Sequence, residues 1–201
     1  ELDISQIQLP EKYKLEEIVA QLPITVHTLE KNTGKGAAIK YGMLLAKGTH
    51  LLFTDIDLST PIGTILTFIP YFDEYEIIIG SRRLKNSDIS IGQSFIRESM
   101  GRIYTTMSKS VTGLNISDFT CGFKCFSKNA AEKIFTQSRI ERWGFDTEIL
   151  YLAQRYSYNI KEVPVVWKND PHTKVKFPKD ILRSLRELVQ IKINILRNFY
   201  T

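Results

Sequence analysis

The stretch LLFTDIDLST, residues 51–60, runs an apolar, β-favouring segment straight into Asp55 and Asp57 and then into Ser59-Thr60-Pro61. Two carboxylates one residue apart repel each other unless a cation or a donor separates them, and in extended backbone both side chains leave from the same side. A hard divalent ion satisfies such a pair, because Mg2+ takes one or two carboxylates and fills its shell with phosphate oxygens and water. The competing explanation is local: Asp57 or Ser59 caps the helix that Pro61 opens. D-x-D alone does not decide between them.

The elements that must hold this pair follow from patterning. EKYKLEEIVAQ (11–21) reads as a helix and ITVHTL (24–29) as a strand. Residues 34–48 form a helix closed by Gly48, and 50–55 a strand. Then come a helix started at Ser59-Thr60-Pro61 and the strand EIIIG at 76–80. Beyond residue 92 the expectation is a helix over 93–112, a short strand at 121–126, helices at 128–137 and 145–157, and a strand at 161–167. Strand–helix–strand alternation with apolar strands implies an α/β domain whose mostly parallel sheet is covered on both faces. Ligands of such sheets sit beyond the carboxyl ends of the strands, where Asp55 and Asp57 lie. The expected division is one domain over 1–177 followed by a basic amphipathic helix, 178–201.

The chain has 201 residues and 43% hydrophobic content, enough for one cored domain. A net charge of +5 favours anionic partners, phosphates or an acidic lipid surface, without amounting to a nucleic-acid signature. Cys121 and Cys125 have no second cysteine pair, and His27, His50 and His172 are distant in sequence, so two reduced thiols are expected instead of a zinc site. No apolar run of about 18 residues is present to span a bilayer. The chain opens with Glu1, not Met, as a fragment or processed product would.

Several further motifs stand in order around D-x-D: EKNTGKGAAIKYG (30–42), IIIGSRRL (77–84), SDFTCGFKCFSK (117–128), RWGFDTEILYLAQR (142–155) and EVPVVWKNDPHTKV (162–175). Over residues 24–175 the series resembles the inverting glycosyltransferases of GT-A (Rossmann-like) fold that load a sugar onto a polyprenyl phosphate. It looks closest to the dolichyl-phosphate glucosyltransferases, with the dolichyl-phosphate mannose synthases as near relatives. That family begins with a P-x-Y/N-E strand and a strand ending D-D-G-S, which grip the nucleoside. Neither motif is present here, so a partner chain or an upstream segment is expected to supply those contacts.

The resemblance implies a role for each matching residue. Asp55 and Asp57 would hold Mg2+ or Mn2+ on the donor diphosphate, with Lys35 beside it in G-K-G; a solvent-facing lysine at a helix start is the alternative for Lys35. Arg82 and Arg97, assisted by Arg102, would bind the acceptor phosphate, a task suited to a planar, permanently charged fork. Surface ion pairing is the alternative for each arginine. Asp118 and Asp146 would lie at the reacting centre, with Glu148 close by, while Trp143 and Phe145 would belong to the core. Lys174 and Lys176 would sit on a basic loop over the phosphates. The donor implied is UDP-glucose, with GDP-mannose as the alternative.

The tail, 178–199, sets Ile181, Leu185, Leu188, Ile195 and Phe199 near helical spacing among Lys179, Arg183, Arg186, Lys192 and Arg197. Such a helix can lie in an anionic membrane interface, as a lipid-phosphate acceptor requires; packing on the domain or a partner is the alternative. The expected location is therefore the cytoplasmic face of a membrane, peripherally. Against the enzyme stands a second class of function, a non-catalytic partner that keeps the acceptor- and membrane-binding half.

Overall fold

The computed structural model describes residues 24–91, 95–168 and 179–200. It divides into two compact units, Glu1–Asn32 and Thr33–Thr201. In the first, the helix expected at 11–21 lies outside the described residues. Residues 24–29 form no strand despite their alternation, since alternation gives a strand only where a ladder receives it.

The second unit is an α/β layer structure. Its elements are α1 (Lys35–Leu45), β1 (His50–Thr54), β2 (Ile77–Ser81), β3 (Asp88–Ile91), α2 (Phe95–Thr112), β4 (Phe123–Ser127), α3 (Lys128–Gln137), α4 (Phe145–Arg155), β5 (Ile160–Pro164), β6 (Val166–Lys168) and α5 (Lys179–Leu196). The main sheet has the order β1-β4-β2-β5. β4 runs antiparallel to both its neighbours, and β2 pairs parallel with β5, so β1, β2 and β5 share one direction around a reversed β4. The sheet is thus mostly parallel in strand direction but not in pairing.

Strand alternation builds two cores. Ile77 and Ile79 of β2 and Phe126 of β4 join Leu51 and Phe53 under α3 and α4, where Ile134, Phe135, Ile149, Leu150 and Leu152 are fully buried. Ile78, Phe123, Cys125 and Val163 face the other way and meet Phe68 and Trp167. Both sheet faces are therefore closed, as the continuous apolar strands require.

Three elements differ from expectation. The helix expected after Pro61 is two short 3-10 turns, Ile62–Thr67 and Ile69–Tyr71. Pro70 cannot donate an amide, and the hydroxyl of Thr67 turns back to the Thr64 carbonyl, so no continuous α-helix forms. The strand expected over 161–167 breaks at Val165 after Pro164 and passes from the main sheet to a separate parallel pair, β3–β6. β3 itself is too short to register in the patterning.

The C-terminal helix packs within the second unit, against α2, by a face that includes Leu188, Ile191 and Asn194. Of the five apolar residues expected to meet a membrane, Leu188 is buried, Ile181, Leu185 and Ile195 are half-buried, and only Phe199 is exposed. A second row, Leu182, Val189 and Leu196 at heptad spacing, points outward beside exposed Arg186, Lys192 and Arg197. Ile191→Ala should therefore cost about 2–4 kcal/mol in urea unfolding, whereas Val189→Ala should stay within about 0.5 kcal/mol. Equal costs would show that α5 does not pack by this face.

Candidate active site

β1 ends at Thr54, and the chain turns at once: the Leu58 amide donates to the Asp55 carbonyl at 3.1 Å, and Leu58 takes a positive φ of 48°. Asp55 and Asp57 thus lie on a tight turn at the carboxyl end of the strand. Asp57 is exposed, and its Oδ1 accepts the Ser59 amide at 3.0 Å. This bond closes a local turn and caps no helix, since the 3-10 turn at Ile62–Thr67 has no side-chain cap, and it leaves one carboxylate oxygen facing solvent. Asp55 accepts the Lys35 ammonium at 2.6 Å, and its carboxylate lies flat on Gly122, where any Cβ would collide with it. The Asp55 amide donates to the Gly122 carbonyl at 3.0 Å. Gly122 is hence fixed by close approach of the D-x-D turn, a role its place in SDFTCGFKCF did not reveal.

Lys35 is neither solvent-facing nor free to reach a ligand unaided. It is clamped on Asp55, with its ammonium 5.7 Å from the ring centres of both Trp143 and Phe145. Burial alone would lower its pKa, but the carboxylates of Asp146 and Asp55 outweigh that and hold it above its ordinary value. Phe145 is core, and Trp143 is half-buried at the rim.

Asp146, in the first turn of α4, is buried and paired at 2.5 Å with the ammonium of Lys124, which also donates to the Cys121 carbonyl at 2.6 Å. Burial pushes the Asp146 carboxyl above its ordinary value against the pull of Lys124 and Lys35. Lys124 is fully buried mid-strand between Phe123 and Cys125. A lone cation in an otherwise apolar strand must have a buried partner, and that is the signal by which the sequence could have disclosed this pair.

Asp118 is likewise fully buried, and both its oxygens are engaged. Arg82 grips it bidentately, Nε to Oδ2 at 2.7 Å and Nη2 to Oδ1 at 2.8 Å; the Arg82 and Thr120 amides add 3.1 and 3.2 Å bonds. The loop carrying Asp118 is itself held by Glu162 of β5, which accepts the amides of Ser117 and Asp118. Although burial opposes it, the Arg82 guanidinium holds the Asp118 carboxyl well below the usual carboxylate range. Arg82 also donates Nη2 to Thr120 and lies over the Trp167 ring, and its Nη1 has no hydrogen-bond partner among the described residues. Cys121, buried between these groups, has its thiol pushed up to about 11 by burial and by Asp118.

The remaining candidates are dispersed. Arg97 is half-buried in the first turn of α2 and makes no hydrogen bond or ion pair with another described residue. Arg102 pairs with Glu98 at 2.7 Å on an exposed helix face, the surface alternative weighed for it. Glu148 is turned away from the site: it accepts the Arg139 and Ile140 amides and the Tyr200 hydroxyl. Lys174 and Lys176 lie outside the described residues.

Asp55, Lys35, Asp146, Lys124 and Arg82 therefore form one field of alternating charge at the strand ends, each close enough to act on others electrostatically. Among the described residues no three or more His, Cys, Asp or Glu side chains converge as a closed metal cage. One exposed carboxylate with a free oxygen beside a second carboxylate nevertheless fits Mg2+ or Mn2+, which accept most of their shell from phosphate and water.

An α/β layer of this topology with carboxylates at the strand ends is the GT-A arrangement. It is similar to glucosyl-3-phosphoglycerate synthase from Mycobacterium tuberculosis, solved with UDP, at TM-score 0.56 and 13% identity over 88% of this chain and 59% of that one. The glycosyl transferase family 2 model matches residues 11–135, and the chain belongs to that family. Curated relatives include dolichyl-phosphate beta-glucosyltransferases from Dictyostelium discoideum, 36% identical over 84% of this chain and 53% of that protein, and Drosophila melanogaster, 33% identical over 86% and 55%. The chain spans about half the length of the curated relatives it matches.

Asp118→Asn should destabilise the protein by about 3 kcal/mol at neutral pH, because it leaves the Arg82 charge without its carboxylate. The folded pKa of Asp118 is depressed, so its contribution is full above the ordinary aspartate value near 3.9 and is lost as pH falls toward the lower folded value. Urea midpoints measured from pH 7 to pH 2.5 should show the gap between wild type and variant closing below about pH 4. A gap independent of pH would place Asp118 outside the pair.

Proposed function

We propose that the chain carries the glycosyl-transfer centre of a polyprenyl-phosphate glucosyltransferase. It moves glucose, with inversion, from a nucleotide sugar, UDP-glucose in preference to GDP-mannose, to a polyprenyl or dolichyl phosphate at a membrane surface. The observation that carries this reading is the alternating field at the strand ends, with an open carboxylate on its rim and a permanently charged guanidinium behind it. The relatives' names supply the substrate class.

In the reaction, an oxygen of the acceptor phosphate forms a bond to the anomeric carbon while the bond from that carbon to the donor diphosphate breaks. The nucleoside diphosphate leaves with the electron pair. The acceptor is already ionised near pH 7, so no strong general base is needed, and positioning with charge compensation supplies the acceleration. Asp57 and Asp55 would hold Mg2+ or Mn2+, which when bound neutralises charge on the leaving diphosphate. Lys35 orients Asp55. Lys124 pairs with Asp146 at the floor of the site, and Asp118 aims Arg82 so that Nη1 can meet the acceptor phosphate. Arg97, the half-buried guanidinium with no described partner, is the second acceptor-phosphate group; Lys174, outside the described residues, is proposed as a third.

Membrane contact is assigned to the outward row of α5, Leu182, Val189 and Leu196, with Arg186, Lys192 and Arg197 at its margin. No described helix is long and apolar enough to cross a bilayer. The buried, un-ionised thiols of Cys121 and Cys125 fit the cytoplasmic face, where cysteines stay reduced.

The direct test is transfer of labelled glucose by the full chain from UDP-glucose to polyprenyl phosphate in vesicles with Mg2+, beside GDP-mannose. Binding of the lipid phosphate with no transfer from either donor would favour a non-catalytic acceptor-binding partner. Asp57→Asn preserves the acceptor for the Ser59 amide and should leave stability within about 0.5 kcal/mol. It should nevertheless cut transfer at least tenfold at limiting Mg2+; retention of over half the activity would remove Asp57 from the metal site. Arg97→Ala should raise the acceptor KM about tenfold, the loss of ~1.5 kcal/mol expected for a charge-assisted bond, and leave the donor KM unchanged.

The membrane assignment has its own measurement. Changing Arg186, Lys192 and Arg197 together to Gln should weaken sedimentation with anionic vesicles roughly a hundredfold at low salt, at about 1 kcal/mol per basic residue. Wild-type protein left in the supernatant would end the assignment.

A further inference from the structure

The N-terminus of α4 is not capped by its own side chains: Gly144 precedes the helix and offers none. The anion comes from α5. Glu187 accepts the Gly144 amide at 2.7 Å. A Cβ on Gly144 would come within 2.7 Å of the Glu187 Cβ, so helix and loop touch with no space between them. A carboxylate is well placed there, because the first amides of a helix are unpaired and carry the positive end of its dipole. Arg183 and Arg142 lie close enough to balance its charge.

What this cap holds is the wall of the site. Trp143 and Phe145 are the rings over which Lys35 lies, and Lys35 fixes Asp55 on Gly122. Asp146 and Thr147 follow immediately, the first on Lys124, the second bonded to Tyr104 and Ser108 of α2. Glu187 touches none of the residues assigned to the reaction, yet it meets the start of the Trp143–Asp146 wall at Gly144.

We propose that Glu187 is a positioning residue for sugar transfer: from the helix assigned to the membrane, it fixes Gly144 and, through the adjoining Trp143 and Phe145 rings, the Lys35–Asp55 pair. This rests on the transfer reaction proposed above. The full chain, labelled with 15N-glycine, is compared as Glu187→Ala, Glu187→Asp and Glu187→Gln, with Ile191→Ala as a variant destabilised elsewhere on α5. The Gly144 amide reports the cap, and the Gly122 amide reports Asp55. In Glu187→Ala both amide resonances should move, kcat should fall about tenfold, and the acceptor KM should stay within twofold.

Glu187→Asp keeps the charge but withdraws it by one methylene, and it should behave like Ala; it serves as the folded probe if the Ala variant does not fold. Glu187→Gln, which can still accept the amide, should restore both resonances and bring kcat to within about threefold of wild type. The proposal is overturned if Gly122 stays still while Gly144 moves, if kcat is unchanged in Ala and Asp, or if Ile191→Ala lowers kcat as much. An inactive wild type whose Gly122 still responds to Glu187 would overturn the transfer reaction and leave the positioning role supported.

Discussion

A lysine ammonium buried in the centre of a sheet cannot be left unpaired, and this requirement at Lys124 organises the protein. The penalty for an uncompensated buried charge exceeds most single packing terms. Lys124 stands on β4, the reversed strand between β1 and β2, on the same sheet face as Phe126, and its partner Asp146 must come from the helix layer above. The start of α4 is therefore fixed laterally over β4. Since Asp146 also acts on Lys35, and Lys35 holds Asp55, the charge on β4 reaches the D-x-D turn at the end of β1 through two ion pairs.

Around that pair, segment 139–148 is where the elements meet. The Ala37 amide of α1 donates to the Glu141 carbonyl, α2 reaches Thr147 through Tyr104 and Ser108, and α5 reaches Gly144 through Glu187. Glu148 gathers the Arg139 and Ile140 amides and the Tyr200 hydroxyl, while the Tyr200 carbonyl takes Arg155. A loop of this length would ordinarily be among the less stable parts of a domain. Here buried Glu148, in the first turn of α4, and half-buried Glu187 of α5 accept its amides, so it serves as a rigid wall for the site.

The sequence disclosed what is local. α3 runs over 128–137 as expected because Ser127 caps it, and β2 is an unbroken apolar run that only a doubly covered strand can use. The D-x-D turn, G-S-R, Asp118 and Asp146 were all legible as residues of interest. Their partners were not, because each pairing spans long stretches of chain: Arg82 with Asp118, Lys124 with Asp146, Glu187 with Gly144. Without those partners the sequence could not show that the Asp118 carboxylate accepts from Arg82 and Thr120. The strand expected at 24–29 failed for a related reason: alternation specifies a face but not the neighbour that must receive it.

The tail shows how one helix can satisfy two claims that patterning set against each other. Apolar residues at heptad and at i, i+3 spacing fall on different sides of α5, so Leu188 and Ile191 can be buried while Leu182, Val189 and Leu196 stay in contact with solvent. A surface helix with no external partner gains nothing from the outer row, and three large apolar residues aligned over four turns are more than scattered exposure provides. Because the inner row is locked to the domain by Glu187 and Tyr200, whatever the outer row meets is held at a fixed orientation to the start of α4. The acceptor proposed above, a lipid-borne phosphate, would have to be presented to a site buried at the strand ends. A helix tied to that site on one side and open to an interface on the other supplies the fixed geometry such presentation needs.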